Sequence, residues 1–143
     1  MALYKNVHQI HLSDGKSVYM HSDDMPEGYA VVWISVKKLL EIWHESQSFG
    51  NRKAEWFNKK YANTERSFSN CHDAPVPVSE VGRFFNFEMD NFRFKFNDGA
   101  TRVRWLINHG AQSIPAGCPE GRIASFRQIG LLMDPPDENA QSG

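Results

Sequence analysis

A chain of 143 residues with 16 Lys+Arg against 17 Asp+Glu carries almost no net charge, and its 41% hydrophobic content is ordinary for a globular fold. Balanced charge excludes a surface that attracts nucleic acid or anionic membrane as a whole, so any such binding must come from a local patch. The length fits one domain, expected over residues 1–133 with a disordered tail over 134–143, and supports a core without disulfides or metal.

The start, MALYKNVHQIHL, lacks a cationic region followed by an apolar stretch, and no apolar run is long enough to suggest a membrane span. Two cysteines, Cys71 and Cys118, show no CxxC spacing. They are expected to be reduced thiols, and the protein to be cytoplasmic without membrane insertion.

In chain order, Tyr4 to Leu12 and Lys16 to His21 have strand character around the turn signal Ser13-Asp14-Gly15, which predicts an N-terminal hairpin. Pro26-Glu27-Gly28 is a second turn before Tyr29 to Ile34, a β-branched and aromatic run. Ser35 is placed as an N-cap, with a helix over Val36 to Glu45 whose stripe is Val36, Leu39, Leu40 and Trp43.

Residues 46–73 are polar. A short helix is expected over Lys53 to Tyr61, with loop composition over Asn63 to Asp73. Arg52, Lys53, Lys59, Lys60 and Arg66 interleave with Trp56, Phe57 and Tyr61. Two readings stand: a single-strand DNA surface of charge plus stacking, or an amphipathic helix with its aromatics in the core. Pro75 to Val78 must be extended, because proline pushes its predecessor out of the helical region. The alternating segments Phe85–Met89 and Phe92–Phe96 predict a hairpin around Asp90-Asn91 with one buried face. A strand at Ile114–Cys118 and a helix over Gly121–Leu131 complete the reading.

The segment FRFKFNDGATRVRWLINHGAQSIP, Phe92 to Pro115, carries the chemistry. A strand feeds a glycine turn into a helix that begins at Gly99 and ends near Gly110. The first amides of a helix lie outside its hydrogen-bond ladder and face an incoming anion together with the positive end of the macrodipole. Arg102 and Arg104 sit where cations oppose that dipole, which makes sense if an anion visits; surface ion pairing is the plainer alternative. Val103, Leu106, Ile107 and Gly110 share one side, which must pack on the sheet. Trp105 falls on the other side with Thr101, Arg104 and Asn108. It is either covered by another layer or part of a ligand site. Asp98 can cap the helix or hold Mg²⁺, and capping is the more usual role.

The order strand, Asp98-Gly99, Arg102-x-Arg104, apolar helix, Gly110-Ala111, Ile114-Pro115 resembles the core motif of the ParB/sulfiredoxin superfamily, in which a glycine-initiated helix binds nucleotide phosphates. The wording RVRWL…HGAQSIPA is most similar to the Osa-like (oncogenic suppression) group of plasmid fertility-inhibition proteins. The specific resemblance covers Phe92 to Ala116, and Val31–Trp43 and Pro75–Val78 fit the layout more loosely. It implies an α+β fold, a small ParB/sulfiredoxin-like domain in which a mixed sheet with an N-terminal hairpin is packed by helices.

It also implies a plasmid- or mobile-element-encoded effector that blocks DNA transfer through a type IV secretion system. Gly99, Ala100, Thr101, Arg102 and Arg104 would bind nucleotide or DNA phosphates. Asp98, Arg102 and Arg104 would act in any DNase or ATPase chemistry, with ATP or another nucleotide and Mg²⁺ as cofactors. The chain departs from the superfamily box at Ala100, where a glutamate is usual, and at Thr101, where an arginine is usual. That glutamate helps arrange metal and hydrolysis in relatives, so its replacement bears on catalysis more than on binding. A non-catalytic module that docks on a conjugation or type IV secretion component is the alternative. Cys71-His72 does not match the position of the sulfiredoxin cysteine, which disfavours a reductase. His8, His11, His21, His44, His72 and His109 show no metal-ligand spacing, so no metal site is expected.

Overall fold

Asp14 and Gly15 set the first turn, in a computed structural model that describes residues 4–42, 54–82 and 96–136. Asp14 Oδ1 accepts the Lys16 amide at 2.9 Å, and Gly15 takes φ 84°. The turn joins β1 (Val7–His11) to β2 (Ser17–His21) in antiparallel register, with Ile10 opposite Val18. β4 (Val76–Pro77) adds to β2 in parallel, giving a three-stranded mixed sheet in the order β1-β2-β4. The hairpin expected over the first 21 residues is present.

The chain leading into this hairpin is held by Asp23, whose carboxylate accepts the amides of Lys5 (3.0 Å) and Asn6 (2.9 Å). The Lys5 amide is the chief reason that the Asp23 carboxyl is held below its ordinary value of 3.8. A carboxylate favoured by folding stabilises fully above its unfolded pKa and loses that contribution as pH falls through the lower folded value. We therefore expect the Lys5 and Asn6 amide resonances to move together on acidification below about pH 4. The Asp23→Asn variant should show no such movement.

A second, five-stranded sheet has the order β6-β5-β7-β3-β8. β3 (Tyr29–Ser35) lies inside it, and Val32, Trp33 and Ile34 are all buried, because both faces of that strand are covered. β3 pairs antiparallel with β7 (Ser113–Pro119) from Tyr29↔Pro119 to Ser35↔Ser113. β5 (Ser79–Val81) runs parallel to β7 on its other side, and β6 (Phe96–Asp98) pairs antiparallel with β5. Val78 carries the chain directly from the small sheet to the large one, its amide bonded to His21 O at 2.9 Å. The Pro75–Val78 segment is extended as its prolines require. The fold is thus α+β, with two mixed sheets and four helices among the described residues.

Ser35 Oγ accepts the Lys38 amide at 3.2 Å and caps α1 (Val36–Ile42) as expected. Val36 and Leu39 are buried, but Leu40 is 55% exposed, so the apolar stripe is narrower than the sequence suggests. Residues 43–45, the rest of the expected helix, lie outside the described residues.

α2 runs from Ala54 to Ser69, and the loop expected from Asn63 is its second half. Thr64, Ser67 and Ser69 each donate a side-chain hydroxyl to the carbonyl four residues back (Lys60, Asn63 and Glu65, at 2.9–3.1 Å), so polar residues continue the helix. Thr64 and Phe68, one turn apart, supply the buried seam. The Phe85–Phe96 hairpin lies outside the described residues except for Phe96. The strand expected at Ile114–Cys118 is β7, one residue longer at each end.

The expected Gly121–Leu131 helix resolves into a 3-10 turn at Glu120–Arg122 followed by α4 (Ile123–Gln128). Gly130, at φ 83°, ends that helix, and β8 (Leu132–Met133) then pairs with Trp33 and Ile34 of β3. Buried Ile10, Met20, Ile34, Leu39, Val103, Leu106, Ile114 and Phe126 belong to one core cluster that spans both sheets and all four helices.

Candidate functional site

β6 ends at Asp98 and α3 (Ala100–Asn108) begins two residues later, so the whole turn between them is Gly99. Gly99 takes φ 85°, the left-handed region, and occupies the N-cap with no side-chain cap. That corrects the capping role expected of Asp98, which is instead the last residue of the strand. The first helical bond, Val103 N to Gly99 O, measures 3.1 Å. The amides of residues 100–102 therefore precede the ladder at the positive end of the helix.

The turn is held from below by Ser79 of β5. This serine is 1% exposed, and its hydroxyl donates to Gly99 O at 2.7 Å. A Cβ on Gly99 would overlap the Ser79 side chain and come within 2.6 Å of Arg102 Nη2. The Arg102 guanidinium thus lies over the turn, with Nη2 3.5 Å from Val78 O. Ser79 was missed by sequence reading, because a lone serine in the extended VPVSEV segment has no local signature.

Arg104 does not share that position. It is two residues further along, about 200° around the helix, on the side that bears Thr101, Trp105 and Asn108. α2 covers part of that side, burying Thr101 and Trp105, while Arg104 is half-buried and Asn108 exposed. Trp105 is 5% exposed and stacked between Phe68 of α2 (centroids 4.2 Å apart) and His109 (3.8 Å). Its indole N–H donates to the Glu65 carboxylate, Asn108 Nδ2 donates to Tyr61 Oη at 3.2 Å, and Thr101 is buried. Of the two alternatives for Trp105, the covering layer is the one observed, and α2 is that layer. Its Lys59, Lys60 and Arg66 are exposed, and Tyr61 is half-buried toward α3.

The register also sets Glu80 of β5 opposite Asp98 of β6, one residue before the glycine turn. No group of three or more His, Cys, Asp or Glu side chains with metal-holding geometry occurs among the described residues. Both cysteines are buried free thiols. Burial pushes Cys71 up and Cys118 up to about 12, so neither is a ready nucleophile at neutral pH.

The chain is an α+β domain in which a strand passes through a braced glycine into a helix N-terminus. The chain belongs to the plasmid fertility inhibition factor family, whose family model matches residues 31–128, from within β3 to the end of α4. Among solved structures it is similar to the oncogenic suppression activity protein, described as a plasmid fertility inhibition factor and solved as a gold(I) cyanide derivative. The TM-score is 0.70 at 18% identity, over 90% of this chain and 70% of that one. That likeness is one of fold. Comparison with curated proteins gave no significant match. No helix among the described residues is long and apolar enough to cross a membrane.

Proposed function

We propose that this fertility-inhibition factor blocks DNA transfer through a type IV secretion system by engaging phosphates of a nucleotide or DNA strand at the start of α3. The observation that carries this reading is the Gly99 turn, braced by Ser79 and overlain by Arg102, because it presents the amides of residues 100–102 and one guanidinium at the same place. Gly99, Ala100, Thr101 and Arg102 form the phosphate contact, and Arg104 contributes from further around the helix. ATP or another nucleotide with Mg²⁺ fits the acidic positions Glu80 and Asp98. DNase or ATPase chemistry would run through Asp98, Arg102 and Arg104.

The second reading, a non-catalytic module docked on a conjugation component, is favoured by one feature, the alanine at position 100 in place of an acidic residue. Titration with ATP, CTP and single-stranded DNA, with and without Mg²⁺, separates the two. Arg102→Ala should weaken binding roughly 10- to 150-fold, which corresponds to a charge-assisted bond worth about 1.5–3 kcal/mol. Arg104→Ala should act in the same direction and less strongly. Lys37→Ala, on exposed α1, should change nothing. Equal binding by wild type and a folded Arg102→Ala protein would discard the phosphate site and leave the docking reading.

A further inference from the structure

The opposite end of α3 opens on a different feature. A cleft of about 330 Å³ is lined by Gln9 and His11 of β1, Ser13 of the hairpin turn, Trp33 of β3, and Gln112 and Ser113 at the start of β7. None of its lining residues is Asp, Glu, Lys or Arg. The cleft therefore offers no fixed counter-charge, and an ionic ligand would gain no partner for the water it gives up. Its polar groups are primary amides, hydroxyls and an imidazole, set against an indole.

The fold organises these groups in advance. Gln9 and His11 are two residues apart on β1 and share one face of the strand. Across the hairpin, Ser17 is directly opposite His11 and bonds to both side chains. Gln9 Nε2 donates to Ser17 Oγ at 3.0 Å, and Ser17 Oγ lies 3.2 Å from His11 Nδ1. A hydroxyl has one proton and two acceptor lone pairs, so Ser17 Oγ accepts from the amide and still pairs with Nδ1 in either imidazole tautomer. The relay ties the Gln9 and His11 side chains to one hydroxyl of β2.

The rim is equally set. Ser13 N and Oγ both donate to His109 O, at 3.2 and 3.3 Å, and Gly110, at φ 86°, has no room for a Cβ against Ser13. The C-terminal end of α3 is thereby locked to the hairpin turn. A volume of this size takes a ring system with a small substituent.

From these observations we propose that the cleft binds an uncharged nucleobase, presented by a free nucleoside or by an unpaired base of a DNA strand. A primary amide offers a donor and an acceptor side by side, which matches the adjacent donor and acceptor on a base edge such as adenine N6 and N7. Here two amides, Gln9 and Gln112, come from different elements, and the Trp33 ring supplies the apolar wall. The cleft is about 16 Å along α3 from Gly99, counting 11 residues of helical rise. It is a separate site from the phosphate contact and does not rest on it.

The test is titration of the full chain with adenosine, which has no phosphate, followed by tryptophan fluorescence and by amide shifts of residues 9–13 and 110–113. In a second arm, a short single-stranded oligonucleotide is compared with the same strand made abasic at its centre. Adenosine should bind saturably, ribose should not compete, and excess inorganic phosphate should leave binding unchanged. Gln112→Ala, at an exposed position, should weaken adenosine about tenfold while the thermal midpoint stays put, and Gln9→Ala should do the same. Arg102→Ala should have no effect here. If the natural source is a strand, the intact oligonucleotide should outbind the abasic one, and Gln112→Ala should erase the difference. No saturable binding in either arm, binding indifferent to Gln112→Ala in folded protein, or ribose binding equal to adenosine would overturn the proposal.

Discussion

Trp105→Ala is expected to lower stability by about 3–5 kcal/mol, the cost of truncating a fully packed aromatic residue. The indole fills the space between α3 and α2, stacked on Phe68 on one face and His109 on the other, with its N–H given to Glu65. Alanine would leave a cavity bounded by two rings that cannot close on each other, while the exposed Glu65 carboxylate would exchange its indole donor for water. Urea unfolding should show a lowered midpoint with an unchanged slope. Trp105→Phe separates the contributions: it retains the stack and removes the hydrogen bond, so it should cost about 0.5–1.5 kcal/mol. A loss below about 1 kcal/mol for the alanine variant would mean that α2 does not seal this face of α3.

The second large effect is at Gly99. Gly99→Ala should destabilise by about 2–5 kcal/mol, combining a non-glycine residue forced into the left-handed region with overlap against a buried side chain. It should also abolish phosphate binding if α3 begins where the ligand sits, because relief of the overlap must move the first turn. The added methyl meets both Ser79 and Arg102, so Ser79→Gly in the same chain should recover only the Ser79 share of the overlap, leaving the Arg102 contact, the lost Ser79 hydrogen bond and the φ penalty. Binding that survives Gly99→Ala undiminished, in a protein shown to be folded, would locate the ligand elsewhere. Ser79→Ala alone removes one buried hydrogen bond and should cost about 0.5–1.5 kcal/mol, with weaker phosphate binding through a loosened turn.

These residues differ in how far they can be seen without coordinates. Gly99 announces itself, since Asp-Gly between an alternating strand and a 3.6-residue apolar period leaves few conformations for the turn. Gly110 is equally plain as a helix stop. Ser79, which braces Gly99 from 20 residues away, carries no periodicity and no motif. Arg102 and Arg104 look equivalent in the string RVR, and only helical geometry with α2 in place shows one beside the turn and the other on the side that α2 partly covers. Asp98 looked like a cap because aspartate favours that role. The strand pairing with Glu80 extends through Asp98 and moves the cap to Gly99.

By itself the sequence determined the local features: the hairpin around Ser13-Asp14-Gly15, the apolar run Tyr29–Ile34, the Ser35 cap, the extended prolines, and the helix from Gly99 to Gly110 with the wording of its family. Each is decided by backbone preference or by side-chain period over a few residues, where near neighbours dominate the energy. Tertiary structure alone decided the rest. It extended α2 to Ser69 through the buried pair Thr64 and Phe68, whose seam has meaning only against Trp105. It brought Ser79 under Gly99 and Glu80 opposite Asp98, and it closed a cleft between β1 and the start of β7. Those arrangements depend on contacts between residues far apart in the chain, and no local propensity encodes such contacts.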